Sequence, residues 1–287
     1  MTNSITGLKR ASALCAVTVL VTIATGGCHK AVGHRKAHKP QAVKSAKAFP
    51  ETETDKYWKQ AEAEVYKSAL EILDQHRAEL ARGIRHHKLM HGDPRGKQVA
   101  ITFDDGPHPD FTPKLLAILK QFNAKATFFV VGEMAEKNPA LIKSEVAGGH
   151  NVGNHTYHHV NLTKIPNEYV ATEIKACGDV IKSITGKAPH LFRPPGGDYN
   201  ERVAEVAEAL GYIIALWTDD PGDYASPGKR LIESRVLDNI TGGSIVLIHD
   251  GVQQTVDVLP PILEHLERKG YECVTIDQMM AGKQPGR

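Results

Sequence analysis

A chain of 287 residues with 41% hydrophobic and 24% charged residues can fold into one large domain or two small ones, and its apolar content argues against global disorder. The net charge of +2 hides an asymmetry: residues 1–50 hold eight Lys/Arg and no Asp/Glu, which leaves 27 basic and 33 acidic residues beyond them, a balance of −6. A nucleic-acid-binding body is disfavoured; the pattern is a basic tether on a mildly acidic domain.

The first residues read as an export signal. Lys9 and Arg10 precede an apolar run, 11–24, that is shorter than the ~20 residues of a membrane span, and small residues then lead into Cys28. Cys28 stands where bacterial lipoproteins are lipidated, although Thr25 departs from the usual residue there; ordinary cleavage after Gly26 is the alternative. The chain is therefore expected in the bacterial cell envelope as a membrane-anchored lipoprotein, or else periplasmic or secreted. Residues 29–52 are basic and non-periodic, as in a flexible linker. Over 53–88, Trp58, Ala61, Val65, Ala69, Leu73, Leu80 and Ile84 recur at helical spacing and predict an N-terminal helix that packs on the domain or on another helix. His86, His87 and His91 near its end are too loosely spaced to suggest a metal site.

From Lys97 strand and helix patterns alternate. Apolar runs begin near 99, 126, 150, 190, 212, 243 and 271, and the segments between them carry helical periodicity; Gly148, Gly211 and Gly270 close three of those helices. Seven strands with intervening helices predict parallel β/α units over about 185 residues, fewer than the ~250 of an eight-unit barrel. The expected fold is α/β, an incomplete or distorted (β/α)7 barrel preceded by a helix. An open doubly wound sheet is the alternative, but no GxGxxG follows the first strand. Of the four cysteines only Cys177 and Cys273 fall in this body, and a disulfide or two separate thiols are equally compatible with them.

Polar residues gather where the strands end: Asp104 and Asp105, His155 and His159, Arg193, then Asp219, Asp220 and Asp223, and finally His249 and Asp250. In a β/α barrel those ends share one mouth, where such folds do chemistry. Adjacent carboxylates repel and are costly to bury unless something positive lies beside them. The local sequence supplies no such partner, which points to a metal. His155 and His159, four residues apart, lie on one face if they occupy a helical turn. With one carboxylate they make a three-ligand site with open positions. His158 would point elsewhere and is read as a non-ligand.

The motifs "TFDDGP" (102–107), "HTYHH" (155–159), "RPPG" (193–196), "DPGDY" (220–224) and "LIH" (247–249) resemble, in order, those of polysaccharide deacetylases, the NodB-homology domain or carbohydrate esterase family 4. The resemblance spans about 97–280. It implies a hydrolase of linear amides that removes N-acetyl groups from an amino-sugar polymer such as peptidoglycan, poly-N-acetylglucosamine or chitin. It also implies one divalent ion, Zn²⁺ or else Co²⁺, Mn²⁺ or Ni²⁺. Carried over by position, Asp105, His155 and His159 are the metal ligands, Asp104 the base and His249 the acid. Arg193 orients Asp104 and Asp223 biases His249. Gly196 supplies an oxyanion N–H, and Pro195, Leu247 and Tyr224 line the substrate. Gly196 and Tyr224 depart from the family's usual aromatic and Trp, so one wall of the acetyl pocket is expected to differ from the family's. O-deacetylation of an acetylxylan-type polysaccharide and non-catalytic glycan binding by a lipoprotein are the alternatives. No nucleic-acid partner is expected, and oligomeric state is not legible.

Overall fold

A computed structural model of the chain describes residues 66–282. The export signal, Cys28, the basic linker and the first part of the expected helix (Trp58, Ala61 and Val65) lie outside them. The first strand of the series, β2 (Gln98–Asp104), shows how sequence dictates position. Val99, Ile101 and Phe103 join an apolar cluster with helix residues Leu115, Leu119, Val258 and Ile262. Ala100, on the opposite face, joins a second cluster with Phe129, Trp217 and Leu247. Alternate side chains of a strand point to opposite faces, so Thr102 and Asp104 share the inner face with Ala100.

The described elements run α1 (Ala69–Ala81), β1 (Lys88–Leu89), β2, α2 (Thr112–Gln121), β3 (Ala126–Val130), α3 (Gly132–Lys137), α4 (Pro139–Ala147) and β4 (Asn151–Asn154). They continue with α5 (Asn167–Thr185), β5 (Leu191–Phe192), α6 (Glu201–Ala209), β6 (Ile213–Ala215), α7 (Lys229–Asn239), β7 (Ile245–His249), α8 (Gln253–Arg268), β8 (Glu272–Cys273) and α9 (Ile276–Gly282). Among the described residues the strands pair in parallel, in the order β1-β6-β5-β4-β3-β2-β7, with β8 on the first residues of β2. Strands covered on both faces can be continuously apolar, which is why "ATFFV" and "IVLIH" are buried throughout. The curled sheet is the expected distorted barrel. Its seam closes beyond β6, where the Thr218 amide donates to Ile245 O (2.9 Å) and the Leu247 amide to Asp219 O (2.8 Å).

Register then assembles a mouth. Asp104 lies opposite both Phe129 and His249, Val130 opposite Asn154, and Asn154 opposite Phe192. The residues that follow these strand ends, Asp105, His155 and Arg193, thus emerge on one side of the sheet.

One expectation is corrected. The N-terminal helix does not continue to 88: it ends at Ala81, with Arg82 as cap and Gly83 at φ +80°, and the chain then re-enters the sheet as β1. That two-residue strand is too short to give an apolar run of its own, so the alternation begins one strand earlier than the sequence suggests. Gly148 caps its helix as expected, and Gly149 after it takes the left-handed position (φ +78°). Cys177 and Cys273 are both free thiols. Among the described residues no helix is long and apolar enough to cross a membrane.

Helix α1 is part of the body. Ser68 and Glu71 form a reciprocal capping box, Glu79 pairs with Lys88 of β1 in a buried contact, and Ile72 is fully buried in the inner cluster. Gly197 (φ +67°) lies so close that a Cβ there would stand 2.6 Å from the Trp217 ring and 3.3 Å from Ile72. Ile72→Ala is therefore expected to cost about 2–5 kcal/mol. Leu70→Ala on the exposed face, where Leu70 is 63% accessible, should stay within about 0.5 kcal/mol. Denaturant midpoints of the two variants check the contrast.

Candidate active site and metal centre

The mouth is built on β2. Asp104, its last residue, is buried and meets Arg193, which follows β5 and is itself fully buried: Nη1 donates to Asp104 Oδ1 at 2.7 Å and to Thr102 Oγ1 at 2.8 Å. Arg193 Nε donates to Ala215 O (3.1 Å), and the guanidinium lies 4.1 Å from the centre of the Phe129 ring. The local sequence offered no cation for the Asp104–Asp105 pair; β5 delivers one to the first member.

Asp105 turns out of the strand at φ +72°, away from Arg193 and toward two imidazoles. His155 Nε2 is 3.4 Å and His159 Nε2 3.0 Å from Asp105 Oδ1. These three donors form a group whose ligand atoms all lie within 4.8 Å of one another. The path between the histidines is not the helical turn inferred from their spacing. It is an irregular loop with Thr156 at φ +64° and His159 at φ +56°. Among the described residues five non-glycine positions have positive φ, and three of them (Asp105, Thr156, His159) belong to this loop pair, so backbone strain is concentrated at the site. The Thr156 amide is held by Asn154 Oδ1 (2.9 Å). His158 leaves the group, as read, to bond Glu173 Oε1 at 2.7 Å.

The arrangement fits a cation. His155 Nδ1 lies 2.7 Å from the Arg193 carbonyl, an acceptor, so Nδ1 carries the proton and the Nε2 lone pair faces Asp105. Asp105 Oδ1 is buried without a hydrogen-bond partner. A lone pair aimed at a carboxylate oxygen is repulsive until a positive ion lies between them. Burial opposes ionisation of Asp105; where the imidazoles are protonated instead, with no ion between them, their hydrogen bonds and charge, with that of His249, outweigh it and hold the carboxyl well below its usual range. One carboxylate and two imidazoles suit a divalent ion.

Across the mouth His249 ends β7. Its Nδ1 is 2.7 Å from Asp223 Oδ1, and its backbone amide donates to Asp223 Oδ2 at 2.8 Å. Thr255 also donates to that carboxylate. Burial alone would lower the His249 pKa; the Asp223 bond and charge, aided by Asp105 and Asp104, overcome it and raise the value to about 9. Nε2 is buried with no hydrogen-bond partner.

Of the other acids gathered in the sequence, Asp219 bonds Thr218 at the seam, Asp220 accepts the Gly222 amide (2.8 Å) and Asp250 accepts from Thr112 beneath the Gly106 loop. These three serve the framework. Pro195 and Gly196 (φ +61°) lie buried in the turn after Arg193, Leu247 is buried two residues before His249, and Tyr224 is 40% exposed at the rim. Sequence reasoning missed Thr102, legible from its i−2 position before Asp104 on the inner face. It also missed Thr255 and Tyr66, which carry no local signal.

Comparisons with known proteins identify the family. The family model described as polysaccharide deacetylase matches residues 91–215. A peptidoglycan-N-acetylglucosamine deacetylase of Bacillus cereus is 41% identical over 192 residues, which is 65% of this chain and 90% of that protein. The chain belongs to the polysaccharide deacetylases. Another relative of this deacetylase, the peptidoglycan-N-acetylmuramic acid deacetylase PdaC of Bacillus subtilis, is 35% identical over 187 residues, 65% of this chain and 39% of its own. Among solved structures, the Bc1960 peptidoglycan N-acetylglucosamine deacetylase superposes with a TM-score of 0.67 at 35% identity, covering 70% of this chain and 95% of that one. BA3943 of Bacillus anthracis, a family pseudoenzyme, superposes with a TM-score of 0.65 at 27% identity, covering 69% and 70%. The family is metal-dependent, and this deacetylase has a His/Asp group able to hold an ion.

Metal-stripped protein should take up one divalent ion per chain. His155→Ala or His159→Ala should weaken that uptake by at least about tenfold, since loss of a ligand exceeds the 10–100-fold effect of outer partners. Calorimetric titration with Zn²⁺ measures both.

Proposed function

We propose that this deacetylase hydrolyses the N-acetyl groups of an amino-sugar polymer of the cell envelope, peptidoglycan first. The observation that carries the reading is the single mouth holding Asp105, His155 and His159 between two opposed proton-handling pairs, Asp104–Arg193 and His249–Asp223. Relatives matched over nearly their whole length and named as peptidoglycan N-acetylglucosamine deacetylases support the choice of polymer. The leader through Cys28 and the basic linker, read from sequence, would place the chain at that polymer.

Asp105, His155 and His159 would hold the ion. When bound, a divalent cation acidifies water and polarises an amide carbonyl, the two obstacles to amide hydrolysis. The residues of the chain do the rest. Asp104 is the base: Arg193 occupies Oδ1 and fixes the carboxylate plane, while Oδ2 faces His155 Nε2 at 3.6 Å, at the edge of the ligand group where a proton must be taken. Gly196, in the buried turn after Arg193, would offer its N–H to the oxyanion. The amine leaves only when protonated. His249 supplies that proton from Nε2, because Asp223 holds Nδ1–H and keeps the ring cationic. Leu247, with Pro195 and Tyr224, would line the acyl and sugar surfaces.

O-deacetylation is the second reading, since the same donors would serve an ester. The complete set of acid, base and metal donors weighs against a binding-only role. The purified chain should release acetate from N-acetylated glycans, peptidoglycan fragments above acetylxylan, and lose the activity on chelation and in His155→Ala. Asp104→Asn should lower kcat by about 10²–10⁴-fold. Full activity in either variant would refute the assignments.

A raised pKa means that His249 is protonated at neutrality and is lost as an acid when pH rises through about 9. The alkaline limb of kcat/KM should lie there. In Asp223→Asn the burial that lowers the His249 pKa is no longer opposed by that carboxylate, so the limb should move by at least about one unit to lower pH, which a pH–rate profile detects.

A further inference from the structure

One wall of the mouth comes from outside the barrel. Tyr66, in the segment leading into α1, stacks on Tyr224 with ring centroids 4.2 Å apart and planes 15° from parallel. Both rings also meet the His249 imidazole edge-on at 5.4 Å, at 86° for Tyr66 and 75° for Tyr224. His249, the proton donor of the proposed reaction, is thus backed by two stacked phenol rings, one carried by the β6–β7 connection and one by the chain before α1.

The position of Tyr66 is enforced by its neighbours. The Lys67 amide donates to the Gly196 carbonyl (2.9 Å), and Lys67 Nζ pairs with Asp198 Oδ1 (2.8 Å). Ser68 caps α1, and Ile72 anchors the helix beside Gly197 in the inner cluster. Segment 66–68 is therefore fastened to the same turn that carries Gly196. Nothing in the β/α framework requires an aromatic ring there, yet this one sits beside the reacting edge of His249.

We propose that Tyr66 is a specificity-determining residue: together with Tyr224 it bounds the acyl group and limits the site to acetyl. The inference rests on the proposed N-deacetylation. At the scissile amide the sugar side is polar, and the one apolar group is the acyl methyl. Apolar surface near His249 includes Leu247, on the same face of β7 two residues earlier, and the two tyrosine rings. Tyr224 stays 40% exposed even with Tyr66 stacked on it, so by itself it would form a still more open wall. Tyr66, stacked on it, thickens that wall beside His249 and would leave less room for a longer acyl chain. A pocket of this kind discriminates one methylene by about 10–200-fold.

The test uses the full metal-loaded chain and glucosamine tetramers bearing N-acetyl, N-propionyl or N-butyryl groups, with the released acid as readout. Wild type should favour acetyl over butyryl in kcat/KM by at least about tenfold. Tyr66→Ala should reduce that ratio by about tenfold or more, with a raised KM for the acetyl substrate. Tyr66→Leu should fall between, and Tyr66→Phe, which keeps the ring, should match wild type. Melting temperatures near wild type show that each variant is folded. An unchanged acyl ratio in folded Tyr66→Ala and Tyr66→Leu overturns the inference, as does a uniform fall on all three acyl chains, which would tie Tyr66 to His249 alone. A Tyr66→Phe that behaves like Tyr66→Ala overturns it too, because the hydroxyl and not the ring would then be responsible. If wild type releases no acid from any tetramer, the N-deacetylase reading itself fails, a result distinct from an active wild type with unaltered variants.

Discussion

Two carboxylates in succession at the end of a buried strand set the terms for the rest of the molecule. Asp104 and Asp105 cannot both be charged in that setting unless each has its own compensation. The fold supplies two kinds. Arg193, delivered by β5, is buried against Asp104, an ion pair whose disruption in proteins costs about 3–5 kcal/mol. Asp105 is swung to positive φ and faces two imidazoles, one of which presents a lone pair. Splitting the pair this way suits adjacent residues to the opposite duties proposed for them, one as a proton acceptor and the other as a ligand for a cation.

The parallel sheet makes that division possible. Because β2 pairs with β3 on one side and β7 on the other, Asp104 comes level with His249, while β4 and β5 bring the histidine loop and Arg193 to the same edge. The outer faces of the strands bury apolar side chains against helices, and the inner faces carry Thr102, Asp104, Leu247 and His249. The acid at the far side is tuned by the same economy of short contacts. Asp223 receives the ring, the backbone amide of His249 and the Thr255 hydroxyl, so its charge is held where the imidazolium needs it. The site is therefore a property of strand order more than of any one loop.

The segment before α1 extends that logic beyond the repeat. A capped helix with Ile72 in the inner cluster holds Lys67 on the Gly196 turn and Tyr66 on Tyr224. An element that could have been a spacer between tether and enzyme thus contributes to the surface that substrate meets.

Sequence alone determined the parallel β/α alternation, because buried strands flanked by helices have no other apolar pattern, and it determined which residues stand at the strand ends. It also carried the five motifs by which family and chemistry could be expected. Tertiary structure decided what spacing cannot express. The interval between His155 and His159 suggested a helical turn, whereas two left-handed residues bring the rings together, since backbone dihedrals imposed by the loop's contacts are not written in residue spacing. Three acids follow β6; the motif resemblance named Asp223, and packing against β7 and α8 supplies the physical reason that it, and not Asp219 or Asp220, meets His249. β1 escaped notice because a strand of two residues owes its existence to pairing with β6, and Tyr66 because its neighbours are 158 and 183 positions away in the chain. Contacts at that range depend on how the whole sheet curls, a quantity that no local stretch of sequence contains.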